Sequence, residues 1–96
     1  MKTVYVVCYD IADNHRWRTV FRVMKSYGDA VQFSVFRCAL TPELHLHLVD
    51  DLKQSINEQE DKVLIIDLGP LEGRADKALT VLGKPIRSIP SGPIIM

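Results

Sequence analysis

The chain has 96 residues, 47% of them hydrophobic, and its twelve basic and twelve acidic side chains cancel to a formal net charge of zero. That length holds one domain, because single cores commonly serve roughly 50–200 residues, and no apolar run approaches the ~20 residues needed to span a bilayer. The opening run MKTVYVVCYD is short, stops at an acid and lacks a small-residue cleavage pattern, so it predicts a strand of a cytoplasmic protein and not a signal peptide or membrane segment.

A domain of this size buries only about 60–65% of its unfolded surface. An apolar content this high therefore points to surface reserved for another chain, and an obligate oligomer is expected. The neutral total also conceals a polarity. Residues 1–40 carry six basic side chains against three acids, residues 41–76 three against nine, and residues 77–96 three against none. Such a distribution lets one surface meet a polyanion while another stays solvated.

In chain order, residues 3–9 (TVYVVCY) predict a first strand with Val4, Val6 and Cys8 on one side and Tyr5, Val7 and Tyr9 on the other. Both sides are apolar, which is the pattern of a central strand covered twice. From Asn14 to Tyr27 the apolar residues Trp17, Val20, Phe21, Met24 and Tyr27 recur every three or four positions and form one face of a helix. Asp13 or Asn14 can cap its start and Gly28 can end it. Its remaining faces bear Arg16, Arg18, Arg22 and Lys25, with no acid from Asn14 to Tyr27.

Residues 30–40 (AVQFSVFRCAL) are strand-like but long, and Gln32 and Ser34 interrupt their pattern, so a break near Ser34 into two strands is expected. Thr41-Pro42 opens a second helix with Thr as N-cap and Pro at the first helical position; Leu44, Leu48, Leu52 and Ile56 form its apolar stripe. Residues 62–68 (KVLIIDL) predict another strand, closed by Gly69-Pro70. A tail from about residue 83 to 96, with Pro85, Pro90 and Pro93 among isoleucines, reads as an extra edge strand and extended end.

Strand, helix, two strands, helix, strand, joined by right-handed crossovers, is the α+β ferredoxin-like βαββαβ arrangement, an antiparallel sheet with both helices on one face. The open face beside an apolar first strand calls for a second subunit, hence a homodimer.

The chemistry-bearing candidates are few. Asp10, at the end of the first strand, can ligate a hard cation such as Mg²⁺, which keeps waters and takes one or two carboxylates. A symmetric dimer placing two copies of Asp10 across its axis would supply the second carboxylate; the alternative is a merely polar strand end. Asp13 fits a helix cap better than a ligand. Asp67 also ends an apolar strand, but an antiparallel one, and so belongs at the opposite sheet edge. Arg16, Arg18, Arg22 and Lys25 can either pair with acids of the second helix or contact phosphate, and Arg18, Arg22 and Lys25 share one face as a stripe able to follow a nucleic-acid backbone. His15 could assist a metal or act as an acid/base group but fits a solvated loop better, and His45 and His47, two apart on a helix, fit the surface. Cys8 and Cys38 read as buried small hydrophobes. No Ser/His/Asp set, glycine-rich phosphate loop or zinc spacing occurs.

The ordered set Tyr9-Asp10-Ile11, Arg16, Tyr27-Gly28, Gln32 and Ser34-Val35-Phe36, followed by DKVLIIDLG, resembles the CRISPR-associated Cas-two family over roughly residues 3–69. Each short motif is weak alone; their order across a chain of this length is specific. Arg37 stands where many relatives carry an acid. The resemblance implies a ferredoxin-like homodimer of prokaryotic adaptive immunity, with Mg²⁺-dependent (or Mn²⁺-dependent) endonuclease activity on RNA or DNA. It also implies partnership with the Cas-one integrase during spacer acquisition. Asp10 maps to the family's metal-binding aspartate, which makes it the expected catalytic residue. Arg16 and Arg18 map to basic positions, and Tyr9, Ser34 and Phe36 are the accompanying motif residues.

Two Asp10 carboxylates holding Mg²⁺ at the dimer axis, with a bound water as nucleophile and arginines holding the phosphate, would answer why one carboxylate sits among basic residues. The same surface suits a non-catalytic DNA-binding scaffold of the integration complex, and that alternative stays open. A ferredoxin-like RNA-binding or ligand-sensing module outside CRISPR systems is disfavoured, because VQFSVF lacks the RNP aromatic pattern.

Overall fold

The fold is described from a computed structural model, for residues 1–85. Three valines and two tyrosines, without Gly or Pro, make β1 (Thr3–Asp10). The chain then turns into α1 (Asn14–Lys25). Of the two possible caps Asp13 is the one used: its carboxylate accepts from the Arg16 amide at 2.9 Å, satisfying a donor that the first helical turn leaves without a partner. Arg22 and Lys25 fall in the last turn, where cations complement the helix dipole. The helix stops two residues before the predicted Tyr27, and the amides of both Tyr27 and Gly28 return to the Met24 carbonyl. Gly28 is required by proximity: a Cβ there would collide with the Arg37 carbonyl and lie 2.6 Å from Cys38 Sγ.

The predicted break near Ser34 is a turn between β2 (Asp29–Gln32) and β3 (Val35–Leu40). Helix α2 (Pro42–Ser55) starts as expected, with Thr41 accepting from the Leu44 amide and Pro42 at the first position. Leu48 and Leu52 are buried, Ile56 is half-buried, and Leu44 at the open N-terminal end of the stripe is exposed. Strand β4 (Lys62–Pro70) runs two residues beyond the predicted end because a register shift between Val4 and Tyr5 lets Gly69-Pro70 keep pairing with β1. A short helix α3 (Ala75–Ala78) follows, which no periodicity announced. Of the predicted C-terminal edge strand, from about residue 83, the described residues 83–85 are not strand and the remainder lies outside the described residues.

The sheet order is β2-β3-β1-β4, with every neighbouring pair antiparallel. This is the predicted ferredoxin-like topology, and β1 is central. Val7, Tyr9, Phe36, Cys38 and Leu40 from the sheet close on Val20, Met24, Leu48 and Leu52 from the helices. Each fully buried side chain of this kind contributes roughly 1.5–3 kcal/mol. Both cysteines are free, Cys38 buried and Cys8 half-buried, and burial pushes the Cys38 thiol up to about 11, which keeps it inert.

On the other side of β1, Val4 and Val6 are also buried, as a strand covered twice requires. Pairing in register with Val6 and Cys8, however, Ile66 and Leu64 stand 46% and 54% exposed. A large apolar pair on the sheet face opposite α1 and α2 is therefore open to solvent in the single chain.

Candidate functional site

Antiparallel topology brings the C-terminal end of β1, the β2–β3 turn, the first turn of α1 and the start of β4 to one edge of the sheet. Asp10 ends β1 there, opposite Lys62, and is exposed. Its neighbour Tyr9 is buried and ties the turn to the strand: its amide donates to the Ser34 carbonyl at 3.0 Å and its hydroxyl to the Phe33 carbonyl at 3.3 Å. Burial drives the Tyr9 hydroxyl's pKa well above its ordinary value, so it stays a donor. Ser34 Oγ accepts from Trp17 Nε1 at 3.1 Å, which fastens the same turn to α1. Tyr9 and Ser34 thus hold the frame around Asp10. Phe36 lies fully in the core and reaches the site only through that frame.

Asp67, paired with Tyr5, lies within β4 and not at its end, displaced from Lys62 toward the opposite edge, and accepts from the Gly69 amide. His15 and His47 are exposed. His45, predicted at the surface, is half-buried and stacks on Tyr5, with ring centroids 4.4 Å apart. Among the described residues no three His, Cys, Asp or Glu side chains gather to hold a metal ion. At this edge a single protomer offers a cation the exposed Asp10, while the exposed Asp13 is occupied capping α1 and Glu60 is paired with Arg16.

Arg16, expected among the phosphate contacts, is engaged within the fold. Its Nε donates to Asp61 Oδ2 at 2.8 Å and its Nη2 to Asp61 Oδ1 at 3.1 Å and Glu60 Oε1 at 3.0 Å. Asp61 also accepts from the backbone amides of Ala12 at 2.9 Å and Asn57 at 2.8 Å, and its side chain is wholly shielded from solvent. One carboxylate thereby joins three segments: the loop just after Asp10, the first turn of α1 and the α2–β4 connection. A bidentate guanidinium–carboxylate contact is directional as well as charged, so it fixes the orientation of the loop that leaves Asp10.

The hydrogen bond from Arg16, followed by those from the Ala12 and Asn57 amides, holds the Asp61 carboxyl well below the usual carboxylate range. A depressed folded-state pKa contributes stability that is complete above the unfolded value and is withdrawn as pH falls toward the folded one. Asp61→Asn lacks that linkage. Acidification from about pH 5 to about pH 3 is therefore expected to lower the Tm of the wild type more than that of Asp61→Asn, as read by circular dichroism melts. Parallel acid limbs would show that Asp61 is not the titrating clamp.

Arg18, Arg22 and Lys25 are all exposed. Helical periodicity places them on the flank of α1 next to Phe21, whereas Arg16 occupies the opposite flank, toward Asp61. Lys25 Nζ lies 6.0 Å from the Phe21 ring centroid. The structure thus splits the four predicted basic residues into an internal anchor and a solvent-facing stripe of three. Asp61 and Phe33 are the site-edge residues that sequence reasoning passed over. Asp61 immediately precedes the fourth strand, and combining that position with the predicted topology puts it beside Asp10.

The family model for CRISPR associated protein Cas2 matches residues 2–72. The CRISPR-associated endoribonuclease Cas2 1 of Rhodospirillum rubrum is 46% identical over 85 residues, spanning 88% of this chain and 82% of that protein. Among solved structures, Streptococcus pyogenes Cas2 superposes with a TM-score of 0.71 at 28% identity, over 83% of this chain and 99% of that one. A chain of a partial Cas6-RT-Cas1–Cas2 complex gives 0.69 at 25% identity, over 99% and 100%. With the motif residues framing Asp10, the sheet order and the span of the match in agreement, the chain belongs to the Cas2 family.

Proposed function

We propose that this chain is a metal-dependent endonuclease of the spacer-acquisition stage of CRISPR immunity, acting as a cytoplasmic homodimer that partners a Cas1-type integrase. The observation that carries the catalytic reading is Asp10: an exposed carboxylate at the end of a central strand, framed by Tyr9 and Ser34. The relative from Rhodospirillum rubrum is named an endoribonuclease, and a structural neighbour belongs to a complex that contains Cas1. No helix among the described residues is long and apolar enough to cross a membrane.

Asp10 fits a hard cation by its chemistry, as an oxygen donor open to solvent on a fixed strand end. One carboxylate leaves most of the coordination shell to water, as Mg²⁺ and Mn²⁺ tolerate. A second chain docked on the open sheet face would cover Leu64 and Ile66 and offer its own Asp10. Mg²⁺ held there would lower the pKa of a bound water and polarise a phosphoryl oxygen. The protein's part is to hold the carboxylates in place through the Tyr9 hydrogen bonds and the Asp61 clamp, while Arg18, Arg22 and Lys25 grip the phosphates alongside.

The stripe alone supports a second reading, a DNA-holding scaffold without hydrolysis, and one experiment separates the two. Wild type and Asp10→Ala are assayed on RNA and DNA with Mg²⁺, with Mn²⁺ and with chelator, after sedimentation fixes the oligomeric state. The nuclease reading expects a loss of about 100-fold or more in Asp10→Ala and in chelator, with the dimer intact. Equal activity in a carefully purified mutant would remove Asp10 from the chemistry, and inactivity of the wild type on every substrate would leave the scaffold. A monomer at high micromolar concentration would remove the paired site.

A further inference from the structure

The site edge carries an exposed aromatic ring on a turn that hydrogen bonds tie to β1 and α1. Phe33, at the tip of the β2–β3 turn, is 55% exposed, although its backbone is pinned by the Tyr9 hydroxyl and its neighbour Ser34 is held by both Tyr9 and Trp17. Behind it stands a graded aromatic array. Trp17 lies 5.9 Å from Phe33 between ring centroids and 5.1 Å from Phe21, to which it is stacked nearly parallel, and Phe21 packs edge-on against the buried Phe36 at 5.5 Å. The array runs from the core to the surface and ends in an open ring.

The charge along the other end of the array, at Phe21, points to its occupant. Phe21 borders the stripe of Arg18, Arg22 and Lys25, and the Lys25 ammonium stands over its edge of the array. A cationic track beside a fixed, exposed aromatic face is the arrangement that binds a nucleic-acid strand, with phosphates on the track and a base on the ring. A base inside a duplex has no free π-face, so the ring discriminates for an unpaired nucleotide.

We infer that Phe33, backed by Trp17, is a stacking subsite for one unpaired nucleobase, placed one hydrogen-bonded residue away from Asp10. This rests on the nucleic-acid reading above and adds to it a specific contact. The link through Tyr9 gives the subsite its consequence: a base seated on Phe33 fixes the register in which its strand passes the Asp10 edge.

The test uses the full chain in EDTA, so that no strand is cut, and a single-stranded oligonucleotide carrying 2-aminopurine, alone or annealed to its complement. Wild type, Phe33→Ala, Phe33→Leu and Phe33→Tyr are compared after circular dichroism confirms folding. Wild type and Phe33→Tyr should bind the single strand equally and quench 2-aminopurine. Phe33→Ala should bind it about 5- to 100-fold more weakly and lose the quench, the effect of one base–aromatic stack. Phe33→Leu, which keeps apolar bulk without a π-face, should resemble Ala, and duplex affinity should be the same in all four.

If wild type binds strand and duplex but Phe33→Ala holds the single strand as tightly as wild type, the subsite falls and the nucleic-acid reading stands. If wild type binds neither, that reading falls and takes the subsite with it. A change in sedimentation of Phe33→Ala with unchanged oligonucleotide binding would make the ring a protein contact and overturn the inference.

Discussion

Phe36→Ala is expected to destabilise the protein by about 3–5 kcal/mol, against a total of only about 5–15 for a domain of this kind. Phe36 is fully buried on β3, beside the central strand, edge-on to Phe21 at 5.5 Å and 6.3 Å from Tyr9. Removing the ring leaves a cavity between sheet and helix that the pinned β2–β3 turn cannot collapse to fill. Urea denaturation at fixed protein concentration should show the midpoint falling with the slope unchanged; concentration matters because association adds to apparent stability. Phe36 stands at a motif position, so lost activity in this mutant would invite a catalytic interpretation. Phe36→Leu separates the two: restoring most of the apolar volume should recover most of the stability and, with it, nucleic-acid binding. A Leu variant as stable as wild type yet unable to bind would mean that the ring itself meets the ligand.

What could be read in advance follows from how local each signal is. The apolar run TVYVVCY, the three-and-four spacing from Trp17 to Met24 and the Thr41-Pro42 start are patterns within a few residues, and each produced its element. Ser34 was legible as a break because a polar residue interrupts an apolar strand there. Topology then followed from element order, and it placed Asp67 away from Asp10. The partner of Arg16 was not legible, because Asp61 lies 45 residues on and meets it only once β1 and β4 pair. Element order points Arg16 to the acids of α2, whereas the clamp sits in the loop after it. Exposure was equally hidden. VQFSVF does not reveal that Phe33 faces solvent while Phe36 is sealed, since the turn between β2 and β3 breaks the alternation that would have sorted them. Leu44 and His45 differ from expectation for a related reason: at the first turn of α2 the core has already ended, so a leucine of the stripe is left open while the ring of Tyr5 offers His45 a stacking surface.

Replacing Arg18, Arg22 and Lys25 together by Ala is expected to collapse the salt dependence of nucleic-acid binding. Each phosphate contact contributes about 0.9 to the slope of log affinity against log salt on duplex DNA and about 0.7 on a single strand. Three contacts therefore amount to about 2.7 per protomer on duplex, and a dimer engaging both stripes would make about six contacts. A wild-type dimer of that kind loses about 10³ in affinity between about 50 and 200 mM salt, and the triple mutant should lose only a small part of that. The loss should be similar for duplexes of different sequence, because phosphate contacts carry no direct base information. Arg16→Ala supplies the opposite control. Its guanidinium is engaged by Asp61 and Glu60, and those carboxylates hold it well above its ordinary pKa, the hydrogen bond to Asp61 first. Its removal should lower the melting temperature and leave the salt slope unchanged. A salt titration of both variants beside wild type decides the matter. A slope unmoved in the triple mutant would clear the stripe of phosphate contact, and a slope flattened by about 0.9 in Arg16→Ala would mean that the guanidinium leaves Asp61 for the backbone when nucleic acid arrives.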